Sequence, residues 1–147
     1  MMDNFFNIEY IETNKNLFEG LKISQSDYYK ELFTRLVIKL DFKYLKQDNF
    51  DIMYAAYKEM IRELYSNKRY LISVLNVDEK ELFNIFLYET ANVDKYQKTI
   101  NILSGMLYRY YNKKVIILID EYDVSVQQGY DVYKYAIAFK NKESCVQ

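Results

Sequence analysis

Val115-Ile116-Ile117-Leu118-Ile119-Asp120-Glu121-Tyr122-Asp123 is the stretch on which the fold turns. Its first five residues are apolar without alternation, and four of them are β-branched. A strand buried on both faces has this pattern, and such strands belong to parallel sheets covered by helices. Just upstream, Tyr96, Ile100, Leu103, Leu107 and Tyr110 recur at the three-and-four spacing of one helix face. Asn92 is placed to cap that helix, and Lys113 and Lys114 to close it where the dipole favours cations. A helix leading into a doubly buried strand is half of an α/β unit, so the expected class is α/β with a parallel sheet.

Farther upstream, Leu36, Ile38, Leu40 and Phe42 alternate with Val37, Lys39 and Asp41. This predicts a second strand, at an edge or exposed on one face. Two more helices are expected between the strands. One spans about Asp48 to Asn67, with a stripe of Phe50, Met53, Tyr57, Met60 and Leu64. The other opens on Asp78 and Glu81, a capping-box spacing, and holds Leu82, Ile85 and Phe86. Phe5 to Ile23 reads as a short helix or loop and then an extended stretch, and Asp27 as the cap of a short helix through Phe33. Near the end, Tyr133, Tyr135, Ile137 and Phe139 share one face. With Ser144-Cys145-Val146 they predict a short C-terminal β-hairpin turning at Asn141-Lys142.

Composition excludes several chemistries. The 147 residues contain no His and one Cys, Cys145, so there is no imidazole base, no His metal site and no internal disulfide. Twenty Lys and Arg against 21 Asp and Glu leave a net charge of −1, too little to steer the chain onto nucleic acid or an anionic membrane. No apolar run is long enough to span a bilayer and the N-terminus lacks the pattern of a signal peptide, so a cytoplasmic location is expected. Gly20, Gly105 and Gly129 are followed by Leu, Met and Tyr, so no Gly-Lys phosphate loop is present. Aromatics interleave with cations in Tyr108-Arg109-Tyr110-Tyr111-Asn112-Lys113-Lys114, a composition that suits stacking on single-stranded nucleic acid. The end of an amphipathic helix, with Tyr110 packed inward, explains it better, so nucleic acid is not an expected partner.

One constellation carries chemistry. An apolar strand ending in Asp120-Glu121 has the order of a Walker B motif. The strand holds the first carboxylate at the carboxyl edge of the sheet, where ligands bind in open α/β folds. Asp120 is the candidate metal ligand, for Mg²⁺, and Glu121 the candidate catalytic base that polarises a water. A buried strand that simply leaves the core through acidic residues reads equally well.

Lys113-Lys114-Val115-Ile116-Ile117-Leu118-Ile119-Asp120-Glu121-Tyr122-Asp123-Val124 resembles the Walker B segment of the AAA-ATPase-like family. Asn14-Lys15-Asn16-Leu17-Phe18-Glu19-Gly20-Leu21-Lys22-Ile23 is similar to the family's segment after its phosphate loop. The resemblance implies an incomplete P-loop NTPase-like three-layer sandwich over residues 1–128. Residues 129–147 resemble the end of the nuclease domain that such proteins usually carry. The family's cofactors are ATP and Mg²⁺. None is expected for this chain, because the phosphate loop would lie upstream of Met1. The chain also departs from the family at Thr34-Arg35, where no Pro opens the strand, and at Ser125, which stands in place of Pro. The resemblance therefore implies a truncated, internally deleted member that retains Walker B without Walker A and neither binds nor hydrolyses ATP alone. The alternative is an interaction module that self-associates or docks on full-length homologues.

Overall fold

The structure is a computed structural model that describes residues 1–47 and 49–123. Two parallel strands, β1 (Leu36–Asp41) and β2 (Val115–Asp120), pair in register from Leu36 opposite Val115 to Asp41 opposite Asp120. Parallel neighbours require a crossover. Here it consists of α3 (Phe50–Ser66), α4 (Val77–Leu87) and α5 (Val93–Tyr111), with single 3₁₀ turns at Phe42–Leu45 and Arg69–Ser73. Ahead of β1 lie α1 (Met2–Phe6), α2 (Ile11–Asn14) and three 3₁₀ turns. The segment through Ile23 is thus short helices and turns, without the expected extended stretch. The mixed helix and strand class and the parallel pair follow the expectation. The expected C-terminal hairpin and the 129–147 unit lie outside the described residues.

Leu36, Ile38 and Leu40 share one face of β1 and are all but fully buried. They meet Ile61 and Tyr65 of α3, Phe83 and Phe86 of α4, and Leu103 and Leu107 of α5 in a single core. Inside it the Tyr65 hydroxyl donates to the Thr99 carbonyl at 3.1 Å and accepts from the Thr99 hydroxyl at 3.2 Å. Burial raises the Tyr65 phenol far above its ordinary pKa, so it stays a neutral donor.

Local chemistry sets the helix ends. Asn49 caps α3 through Asp51 N at 2.7 Å, and Asn92 caps α5 through Lys95 N at 3.0 Å, as expected for the latter. The capping box of α4 is Asn76 with Glu79, two residues earlier than Asp78 with Glu81. An Asn side chain accepts from the N3 amide, and Glu79 reaches back to the Asn76 amide, closing the box. Ser26, not Asp27, precedes the 3₁₀ turn over Asp27–Glu31. Asn112 ends α5 in the left-handed region at φ 51°, a conformation Asn tolerates.

Two burial expectations are corrected. Tyr57, Met60 and Leu64 of the expected α3 stripe pack against the core, where Ile61 and Tyr65 are buried more deeply, whereas Phe50 is 66% exposed. The first turn of α3 overhangs the core, so its aromatic stacks on Tyr54 at the surface instead. In β2, Ile117 and Ile119 are 45% and 48% exposed, so the strand is not buried on both faces. Among the described residues β2 has β1 on one side only. The core covers its start, at Val115.

The N-terminal segment is fastened at two points. Phe33 N donates to Phe5 O at 2.8 Å, and Ile8 N to Arg35 O at 2.7 Å, which lays α1 beside the start of β1. Beyond α3, Lys68 is only 8% exposed, and its ammonium pairs with Glu9, which also accepts from Tyr70. Removing one partner of a shielded ion pair strands the other charge away from water. Glu9→Ala is expected to lower unfolding stability by about 3 kcal/mol in urea melts. Adding Lys68→Met should recover most of that loss. Additive losses in the double variant would show the pair to be uncoupled.

Candidate functional site

β2 delivers Asp120 to the carboxyl edge of the sheet, as the sequence pattern expects. The parallel register sets Asp41, the last residue of β1, directly beside it. Two strands therefore end in adjacent carboxylates. The sequence reading missed Asp41 as a site residue. The signal was there, because Leu36 to Asp41 is an apolar strand ending in Asp just as Val115 to Asp120 is, but the pairing that joins them is tertiary.

The chain turns sharply after the edge. Asp120 Oδ1 accepts from Glu121 N at 3.1 Å, and Glu121 adopts φ 51°. Left-handed backbone costs a non-glycine residue about 1–2 kcal/mol. Strain of this kind collects where a structure must aim particular side chains. Asp120, Glu121 and Asp123 are exposed, and Tyr122 is 68% exposed, so the edge is open to ligand and water. Asp41 is half-buried, with one carboxylate oxygen accepting from Lys43 N at 3.0 Å.

Carboxylate oxygens suit Mg²⁺, which takes one or two protein carboxylates and fills its remaining positions with water and phosphate oxygen. The donor set at Asp120 and Asp41 fits that demand. Among the described residues no group of three or more His, Cys, Asp or Glu side chains converges as a self-sufficient metal cage. Gly105 lies inside α5 and Gly20 in a surface turn at φ 76°, so neither belongs to a phosphate-cradling loop after a strand.

The aromatic and basic segment at the end of α5 divides differently from the expectation. Tyr111 turns inward against the core, and its hydroxyl donates to Tyr70 at 3.3 Å. Tyr110 is 45% exposed and lies over Tyr70 with ring centres 5.7 Å apart. Arg109 is engaged by Glu79.

These features define a class: a mixed helix and strand domain whose parallel strands end together in an acidic edge. The chain belongs to the AAA-ATPase-like family, whose description is predicted AAA-ATPase and whose model matches residues 1–142. No curated protein and no solved structure matches it. Among the described residues no helix is long and apolar enough to cross a membrane.

The turn at Glu121 yields a direct test. Glu121→Val places a β-branched residue at positive φ and should cost about 1 kcal/mol in chemical denaturation. Glu121→Gly relieves the strain and should cost nothing. Equal destabilisation by both would show that Glu121 is not held in the left-handed region.

Proposed function

We propose that these 147 residues form an AAA-ATPase-like domain that keeps the Walker B edge of a P-loop NTPase-like three-layer sandwich and lacks a Walker A grip. Asp120 is the carboxylate that holds Mg²⁺, and Glu121 the base that takes a proton from the attacking water. Mg²⁺ bound there offsets phosphate charge. The observation that carries the reading is the register that ends two parallel strands in Asp41 and Asp120. A helical crossover between parallel strands and membership of the family support the same architecture.

Affinity for a triphosphate in this kind of site comes mainly from backbone N–H groups of a glycine-rich loop, its Lys and a helix N-terminus. The carboxylate edge supplies none of these and repels the polyanion unless a cation intervenes. The 147-residue polypeptide is therefore expected to give no binding heat with Mg-ATP in calorimetric titration and no phosphate release. Micromolar affinity would contradict the reading.

A second reading, an interaction module, is favoured by Ile117 and Ile119, half-exposed on the same face of the sheet as their register partners Ile38 and Leu40. A strand edge with no partner among the described residues, beside exposed β-branched residues, offers both hydrogen bonds and apolar area to another chain. Self-association or docking on full-length homologues would cover it. Light scattering should then show mass rising with concentration and Ile117→Lys suppressing the rise. A monomer at all concentrations would remove this reading.

A further inference from the structure

The second face of the sheet holds Val37, Lys39 and Asp41 from β1 and the half-buried Ile116 and Leu118 from β2. Val37 is covered, at 4% exposed, while Lys39 farther along is open to solvent. Beside this face runs a groove of about 550 Å³ between the end of β1, the turn at Tyr44 and Leu45, and one flank of α3. Its α3 wall extends from Ile52 to Asn67, about 22 Å at 1.5 Å per residue, the length of four helical turns. The floor is apolar and shallow: Ala55 and Ala56 leave room for a backbone, with Met60 and Leu64 beneath. A second cleft sharing Lys39, Leu64 and Asn67 continues it towards Val37 and Lys68.

The rim carries sign. Among the described residues, Asp41, Glu59 and Glu63 line the groove against one cation, Lys39. Arg62 pairs with Glu59, but it is also held by Glu89 at 3.0 Å. We propose that this groove docks one basic amphipathic helix of a partner protein. Its apolar side chains, spaced by three and four, would sit on Ala56, Met60 and Leu64, with Lys or Arg on its flanks facing Glu59, Glu63 and Asp41. The groove lies apart from Ile117 and Ile119 of β2 and shares Asp41 with the acidic edge.

The test uses the full 147-residue chain and two fluorescein-labelled helical peptides of about 16 residues, the length the groove holds. Both carry the same Leu face, one with Lys flanks and one with Glu flanks. Fluorescence anisotropy should show the Lys peptide binding at least about tenfold more tightly, with the advantage shrinking as salt rises. Glu59→Lys with Glu63→Lys, both at exposed positions, should reverse the order. Ala56→Trp should block both peptides while circular dichroism stays unchanged. Equal affinity for the two peptides, no binding of either, or an order unmoved by the charge reversal would overturn the proposal. So would a dimer in sedimentation that the reversal dissociates, since a second copy would then be the occupant.

Discussion

The parallel pairing of β1 with β2 is the constraint on which everything else rests. The strands lie far apart in sequence, and residues 42–114 must close between them. Closing a long loop costs conformational entropy that only burial can offset. The crossover supplies that burial itself, because α3, α4 and α5 carry most of the apolar side chains that cover Leu36, Ile38 and Leu40. Strand pairing and core are therefore one cooperative unit. The hydroxyls of Tyr65 and Thr99 satisfy each other where α3 meets α5, while those of Tyr96 and Ser104 on α5 are buried with no partner among the described residues.

The acidic edge is a by-product of that pairing. In-register parallel strands that each end in Asp put Asp41 and Asp120 side by side, and the turn at Glu121 exposes the next carboxylate. Such an edge gathers hard oxygen donors at the place where open α/β sheets bind ligands. It attracts cations and cannot by itself attract phosphate. The family match covers these strands and their acidic ends within residues 1–142.

Much of this was legible in the sequence, and the exceptions have physical causes. Alternation at Leu36 to Phe42, the apolar run at Val115 to Ile119 and the three-and-four spacing through α5 identified the elements, because periodicity is a local property. Asp120 and Glu121 stand at the strand end as read. Burial was harder. An apolar pentad announces a strand that wants cover, but whether neighbours supply it is tertiary, and Ile117 and Ile119 are left half-exposed. The α3 stripe departs at its start for the same reason: Tyr57, Met60 and Leu64 pack against the core, but Phe50, part of the same periodic pattern, overhangs it. Tyr111 rather than Tyr110 packs against the core, one residue past the expected stripe in the last turn before the Asn112 cap. The α4 cap shifted by two residues because Asn76 with Glu79 satisfies the same box. Asp41 escaped notice because only register joins it to Asp120.

The central claim is the register, and nuclear Overhauser contacts between the backbones of β1 and β2 test it most directly. Cross-strand contacts that place Ile38 beside Ile117 and Asp41 beside Asp120 are the expected result. A pattern slipped by one residue, or an antiparallel one, would separate the two carboxylates and contradict the account.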